Sequence, residues 1–322
     1  MLKHPGNIIG DSWFHVEGDV AHAFYLTCAD HLPAHKVWDI GHAVSSDLVN
    51  WTLLDLALRR GEAGSWDECL ATGSIVKTAD GYTMAYTSSN KALTGIAWSR
   101  DLSTWTRHTG NPTTACDERY YELMSTGTRK ALHWRDPFVF KHDDQWHQLV
   151  CASNRAGPEG GRGTVGWAVS DDLKAWTVLP PPQIEPFSQE MECPQIYHRD
   201  NIFYLIFSTF PELLLPDAHA RIQAADDWGA WMSSLPWNVD KQANHGPSTF
   251  VLTSRNLRGL YRPSTHPTLF RPSDPVQPYA CQLLRFKDAD YCLGTIWADD
   301  GISYISDPIK VSFQPGGIRV VP

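Results

Sequence analysis

Three carboxylates, Asp11, Asp136 and Glu192, sit at matching places in a repeating sequence. Each lies eight residues before an acidic turn residue, namely Asp19, Asp144 and Asp200. The same count back from Asp80 and Asp288 reaches Thr72 and Ala280. Equal offsets in equivalent repeats mean equivalent places in space. Acids brought together repel one another and lose hydration, which a fold alone gains nothing from, so the cluster points to chemistry. The chemistry that needs such a set is cleavage of a glycosidic bond. One carboxylate acts as nucleophile or base and another as proton donor, flanking an oxocarbenium-like centre. A third holds sugar hydroxyls and offsets the developing positive charge. The donor must carry a proton near neutral pH, so its pKa is expected to be raised by burial and by the other acids. The competing reading, that each acid caps a strand or pairs with Arg135, Arg199 or Arg271, suits one acid better than three at matching offsets.

The elements that must position these acids follow from two repeats. Five short runs alternate with period two, the pattern of half-buried strands. They are Val20–Cys28, Tyr82–Ser88, Trp146–Ala152, Ile202–Ser208 and Tyr291–Ala298. Each follows a tight polar turn: Gly18-Asp19, Asp80-Gly81, Asp143-Asp144, Asp200-Asn201 and Asp288-Ala-Asp290. Asp, Asn and Gly suit hairpins because they tolerate positive φ. A second repeat, Ser-x-Asp-Leu followed by Trp-Thr, ends at Trp51, Trp105 and Trp176, with a weaker copy at Thr253-Ser-Arg-Asn-Leu-Arg. Five hairpins, each followed by further strand material, describe an all-β, five-bladed β-propeller. The repeats are too closely spaced for tandem sandwiches of about 100 residues each. If the strand before each hairpin is the innermost, the five counted positions ring the propeller axis. The chain reads as a single catalytic domain over residues 1–322, with residues 211–247 an insertion in the fourth blade. The stretch from Asp217 to Ser234, Ala-rich with Trp228 and Trp231 three apart, predicts a short amphipathic helix there.

Composition narrows the function further. The 322 residues are 42% apolar, yet no apolar run approaches the ~20 residues of a membrane span. A formal charge of -9 argues against nucleic acid. The first 20 residues include Asp11, Glu17 and Asp19 and carry no apolar leader core. The seven cysteines are odd in number and lack any C-x-x-C, which disfavours a disulfide framework or a zinc cage and suggests reduced thiols in a cytoplasmic protein. No metal or cofactor is expected. His31 and His35 flank Leu-Pro-Ala and read as loop, and Gly160-Gly-Arg-Gly163 lacks the Lys-Ser or Lys-Thr of a phosphate cradle. The 14 tryptophans are a surplus that suits a β-rich core, a sugar-binding face, or both. Trp51, Trp105 and Trp176 are expected to pack the blades. Trp13, Trp66 and Trp134 stand beside the acid motifs and are expected to face sugar. Trp228, Trp231 and Trp237 either pack the insertion or form a rim for an aglycone.

The local strings around the acids resemble the β-fructosidase superfamily, glycoside hydrolase families 32 and 68 with family 43 as a relative. Gly10-Asp11-Ser12-Trp13 is similar to the nucleophile motif, in a form closer to family 68. Arg135-Asp136-Pro137 matches the Arg-Asp-Pro motif of both families, and Glu192-Cys193-Pro194 the Glu-Cys-Pro motif of family 32. Gly41 to Leu48 with Trp51 also resembles family 32, and Thr72-Gly73-Ser74 stands where that family has Ser-Gly-Ser. The resemblance implies a five-bladed propeller with Asp11 as nucleophile, Asp136 as transition-state stabiliser and Glu192 as general acid/base. It places Trp13, Trp66, Thr72, Ser74 and Arg135 along the sugar subsite, with Cys193, read otherwise as buried packing, beside them. The Asn-Asp-Pro-Asn string of family 32 is absent, and the chain stops about where the propeller ends, as expected of a compact member without the C-terminal β-sandwich. The activity implied is retaining hydrolysis of a furanoside, foremost a β-fructofuranoside. An arabinofuranosidase-type or other glycosidase, a fructosyl or glycosyl transferase, and a non-catalytic binding propeller are the alternatives. The partner expected is a carbohydrate substrate, with no nucleic acid and no membrane. Oligomeric state is not legible.

Overall fold

The computed structural model describes residues 1–32, 37–125, 127–225, 248–274, 276–297 and 303–321. Among them the strands form five antiparallel sheets arranged as blades. Blade 1 holds β1 (Asn7–Glu17), β2 (Val20–Ala29), β3 (Asp39–Ser45) and β4 (Thr52–Leu53). Blade 2 holds β5 (Leu70–Thr78), β6 (Gly81–Ser88), β7 (Leu93–Ser99), β8 (Thr106–Arg107) and the short β9 (Thr114–Ala115). Blade 3 holds β10 (Tyr121–Glu122), β11 (Arg135–His142), β12 (Gln145–Asn154), β13 (Gly163–Ser170) and β14 (Thr177–Leu179). Blade 4 holds β15 (Glu192–Arg199), β16 (Ile202–Ser208), β17 (Thr249–Ser254) and β18 (Arg262–Thr268). Blade 5 holds β19 (Tyr279–Phe286), β20 (Ala289–Trp297), β21 (Ser303–Ile305), β22 (Ile309–Gln314) and β23 (Gly317–Val320). The architecture is the five-bladed propeller read from the repeats. The inner strands β1, β5, β11, β15 and β19 each touch the next around the axis, and β19 returns to β1. Leu2 bridges Ile305, tying the first residues to the last blade.

The core is a set of layers between neighbouring blades. Phe24 and Ile40 of blade 1 meet Met84 and Tyr86 of blade 2. Ala85 and Ile96 meet Val139 and Leu173 of blade 3. Leu149 and Trp167 meet Leu205 and Phe250 of blade 4, and Ile206 and Val251 meet Leu283 and Val311 of blade 5. Leu284 and Leu293 close the ring against Ala23 and Ala43. Alternating strands supply both faces of each sheet to such layers, which is why the period-two runs are so apolar.

The hairpin turns have the chemistry that the sequence suggests. Asp143-Asp144 and Asp200-Asn201 have positive φ at both residues, the backbone of a two-residue turn that matches strand twist. The second and fifth turns differ from expectation. Thr78 pairs with Gly81, so the second turn is Ala79-Asp80 and Gly81 opens β6. In blade 5 Phe286 pairs with Ala289, so the turn is Lys287-Asp288, and Asp290 lies in β20 opposite Arg285, with which it forms an ion pair at 3.1 Å. Pairing opposite charges across the strands favours this register.

The Ser-x-Asp-Leu repeat is a built turn. In blade 3 Ser170 Oγ accepts from the Asp172 and Leu173 amides, and Asp172 Oδ1 accepts from the Lys174 and Ala175 amides. Leu173 takes a positive φ of 67°, and Trp176 Nε1 closes the turn on its carbonyl at 2.8 Å. Blades 1 and 2 repeat these closing bonds through Trp51 and Trp105. In blade 4 the Tyr261 hydroxyl donates to Leu257 O instead, so Tyr replaces Trp there. These tryptophans are half-buried wedges at the blade interfaces, as Trp105 shows by meeting Phe24 edge-on.

A helix, α1 (Pro216–Ala225), lies between β16 and β17 as expected of the insertion, with Pro at its first position and Asp217 in its first turn. Trp228, Trp231 and Trp237 lie outside the described residues, as do His35 and Ala298. All seven cysteines are free thiols. No described helix is long and apolar enough to cross a membrane.

Ser170→Ala should remove an acceptor that a buried amide uses and cost about 1–3 kcal/mol. Urea unfolding will measure it.

Candidate active site

Each inner strand carries one β-bulge, and all five bulges fall at the same level. The ladder slips between Ile9 and Ser12, Ala71 and Gly73, Arg135 and Phe138, Glu192 and Gln195, and Tyr279 and Gln282. A bulge adds a residue, bends the strand and re-aims a side chain. Pro137 and Pro194 fit here because a bulge tolerates a residue that donates no ladder hydrogen bond.

Six residues before the last residue of each inner strand stand Asp11, Thr72, Asp136, Cys193 and Ala280. Three of them, Asp136, Cys193 and Ala280, have positive φ. This is the ring, and it corrects the sequence count in one blade. The equivalent of Asp136 in blade 4 is Cys193; Glu192 sits one place earlier. The count slipped because it started from the first turn residue in that blade, Asp200, and from the second in the others. The place one earlier forms its own ring: Gly10, Ala71, Arg135, Glu192 and Tyr279.

The two rings hold two connected groups. In the first, Thr72 Oγ1 donates to Asp11 Oδ2 at 2.6 Å, and Cys193 Sγ lies 3.7 Å from the same oxygen. The Cys193 amide donates to Asp136 Oδ2 at 3.1 Å, and the Asp136 amide donates to Thr87 Oγ1. The ligating atoms of Asp11, Asp136 and Cys193 lie within 4.8 Å of one another. In the second, Arg135 Nη2 donates to Glu192 Oε1 at 2.6 Å and to Glu190 Oε2 at 3.0 Å. Tyr279 donates its hydroxyl to Glu192 Oε2. Arg129 adds a second guanidinium, 3.3 Å from Glu190 and 3.6 Å from Glu192. Arg135 Nε, 3.8 Å from Asp136 Oδ2, joins the two groups.

Three of the residues expected along the sugar are elsewhere. Trp13 is 1% exposed, stacked on Phe24 in the layer between blades 1 and 2, because the bulge before it turns its side chain into the core. Trp134 is also 1% exposed and donates to Thr114 Oγ1. Ser74 Oγ is buried and accepts the Val139 amide, so it joins blades 2 and 3. Trp66 is half-buried against Tyr86, over Gly95, where a Cβ would lie 2.4 Å from the indole. Thr72, Arg135 and Cys193 touch the acids directly.

Sequence reasoning missed Glu190, Arg129, Tyr279 and Phe210. Glu190 stands two residues before Glu192, the spacing that puts side chains on one face of an extended chain. Tyr279 stands one place before Ala280, as Glu192 does before Cys193. Phe210 stacks on Tyr279 at 4.8 Å and lies under the Arg129 guanidinium at 5.4 Å. Nothing in the pattern marks Arg129, which reaches in from a loop. The Gly160–Gly163 stretch has a packing reason: a Cβ on Gly163 would lie 2.6–2.7 Å from the Ser188–Glu190 backbone, so glycine lets β13 press against the segment that carries Glu190.

The electrostatics divide the acids. Burial raises Asp11, reinforced by the charge of Glu192 and opposed by the Thr72 hydrogen bond. Burial also raises Asp136 to about 7, with Asp11 and Glu192 adding to it against Arg135. Glu190, fully buried, rises to about 7 through burial and the neighbouring Glu192 charge. Glu192 goes the other way. Burial pushes it up, but Arg135, Arg129 and the Tyr279 hydroxyl outweigh that and hold it at about 2. The expectation of a raised pKa on Glu192 is therefore corrected: burial raises Asp136 and Glu190 instead, and two guanidinium groups keep Glu192 ionised.

The geometry can now be set beside known proteins. Residues 14–214 match the family model described as the glycosyl hydrolases family 32 N-terminal domain. The chain belongs to glycosyl hydrolases family 32. Asp136 and Glu192 lie inside the matched span; Asp11 lies just before it and is tied to them by the ring. The sucrose-6-phosphate hydrolase of Escherichia coli is 27% identical over 265 residues, 76% of this chain and 48% of that one. That of Zymomonas mobilis is 29% identical over 202 residues, 58% of this chain and 37% of that one. The chain thus spans under half the length of these curated relatives. Among solved structures, an inulosucrase from Halalkalicoccus jeotgali bound to kestose superposes with a TM-score of 0.70 at 20% identity, covering 98% of this chain and 87% of that one. A sucrose-6-phosphate hydrolase from Lactobacillus gasseri gives 0.70 at 19% identity, covering 97% and 60%. These likenesses are likenesses of fold.

Asp136 and Glu190 bind protons in the folded state that they release when unfolded. These two carboxyls therefore contribute stability that is lost as pH rises from about 4 through about 7, by up to about 1.4 kcal/mol per pH unit for each proton, while buried histidines, His42 lowered to about 4 and His133 to about 3, act in the opposite sense. The stability of the wild type relative to Glu190→Gln, read from urea midpoints between pH 5 and pH 8, should fall as pH rises.

Proposed function

We propose that this family 32 chain hydrolyses a furanoside, foremost a β-fructofuranoside, by retaining double displacement. The observation that carries the reading is the pair of differently tuned acid groups on one axis. Asp11 is held by Thr72 and Cys193 through Oδ2, so that its other oxygen can attack an anomeric carbon. Glu192 is held among Arg135, Arg129 and Tyr279. The sucrose-6-phosphate hydrolases among its relatives support a fructoside as the substrate class.

In the first step Asp11 forms a bond to the anomeric carbon as the bond to the leaving oxygen breaks. That oxygen takes a proton from Glu192. In the second step Glu192 takes a proton from water, whose oxygen displaces Asp11 with a second inversion. Asp136 accepts hydrogen bonds from ring hydroxyls, and the positive charge that develops at the carbon favours its ionised form. Glu192 must gain a proton before the first step. Glu190 supplies the nearest carboxyl that keeps one near neutrality, and both glutamates share Arg135 Nη2. A leaving group that draws Arg135 or Tyr279 away from Glu192 raises its proton affinity at the moment of transfer.

Asp11→Asn should lower kcat on sucrose or an aryl fructofuranoside by at least about a thousandfold. Glu192→Gln should fall by about 10²–10⁴-fold on sucrose and far less on an aryl substrate whose leaving group needs no proton. NMR of the product formed in methanol should show retained configuration. Equal turnover by wild type and both variants, or an inverted product, would overturn the assignment.

A further inference from the structure

A groove of about 780 Å³ opens between blades 2 and 3 at the hairpin end of the propeller. It is distinct from the acid site, because no residue of either acid ring lines it and on β5 its wall begins at Thr78, six residues beyond Thr72. Its walls combine indole surface with hydrogen-bonding side chains. Trp98 of β7 is 46% exposed, and the half-buried Trp146 of β12 lines the same groove.

The repeat makes Trp98 stand out. The residue before the Ser of each Ser-x-Asp-Leu turn is Val44 in blade 1, Val169 in blade 3 and Thr253 in blade 4. Each pairs across to the second strand of its blade at the same register as Trp98 with Thr83. A β-branched residue is therefore sufficient for the fold at this place, and a half-exposed indole is not required by packing. The half-exposed indole, set among hydrogen-bonding side chains, offers a flat apolar face on which a ligand can stack.

The charges around it decide what fits. Asp80 and Asp172 are balanced by Arg100 and Lys174. A polyanion or a polycation would meet as many like charges as opposite ones. A neutral polyhydroxylated chain would stack on the indole and find donors and acceptors of both kinds at its edges. We propose that this groove is a second carbohydrate-binding site that takes a neutral oligosaccharide outside the catalytic centre. The sugars chosen to test it rest on the catalytic reading above; the groove itself does not.

The test is native gel electrophoresis through inulin, levan or arabinan, with Asp11→Asn protein so that the polymer stays intact. Retardation is expected in at least one gel, weakened about tenfold in apparent Kd by Trp98→Val. Val is the residue of blades 1 and 3, so the fold should survive, and in the otherwise native chain Trp98→Val should leave turnover of a short fructoside unchanged. No retardation in any gel, or equal retardation with and without Trp98, overturns the proposal. A dimer by sedimentation that Trp98→Val dissociates also overturns it, by giving the groove to a second copy of the chain. Retardation that depends on Trp98 in a protein that turns over no furanoside would leave the groove standing and sink the catalytic reading.

Discussion

Four carboxylates share the axis of this propeller, and their mutual repulsion is the constraint around which the site is built. Asp11 and Asp136 present ligating atoms within 4.8 Å of each other. At that separation two full charges would repel by about 3–4 kcal/mol in a medium of effective dielectric 20. Two responses are visible. Asp136 and Glu190 hold protons up to about neutral pH, and Arg135 with Arg129 supplies two positive charges to the rest. Arg135 is central because one guanidinium reaches Glu190, Glu192 and Asp136. Its own place is fixed by the fold: it starts β11 and donates to Leu132 O as well. Without that cation the acids could not be both buried and partly ionised, and nucleophilic attack needs at least one of them ionised.

The bulges explain how a regular sheet delivers such an irregular cluster. An unbroken inner strand would send successive side chains alternately into the two flanking blade interfaces. One extra residue at the same level in each blade breaks that alternation. Two adjacent residues, such as Arg135 and Asp136 or Glu192 and Cys193, can then both serve the axis. The residues after the bulge return to packing, which is why Trp13 and Ser74 are structural although they follow Asp11 and Thr72 so closely. Adjacency in a motif is a poor guide to direction when the backbone turns between the residues.

That same geometry accounts for what the sequence made legible and what it hid. The blades were readable because their signals are local: a two-residue turn, an alternating run, a Ser and an Asp that accept backbone amides. The level of the ring was readable because it keeps a fixed distance from the hairpin. Its register was not secure in blade 4, where Asp200 and Asn201 both suit a turn and nothing local says which to count from. Tyr279 and Glu190, both missed, obey the same regularities at offsets of one or two residues. Arg129 and Phe210 did not, because they come from connections outside the repeat, and no period constrains a loop.

The tryptophans divide by the same logic. Trp51, Trp105 and Trp176 recur because each closes a turn on a leucine carbonyl and wedges two blades. Trp13 and Trp134 are interior residues that fill the layers beside bulges. Trp98 breaks the repeat in the opposite sense, large and open to solvent where its counterparts are small. A propeller repeats its backbone about an axis, so each blade is a control for the others. Departures from the repeat therefore separate what folding demands from what remains to be explained. At the axis the departures are Asp11, Asp136 and Glu192, set against Ala71 and Ala280 in blades that carry no acid at these levels. On the opposite face the departure is the exposed indole of Trp98, and the same comparison that identifies the acids as more than structure applies to it.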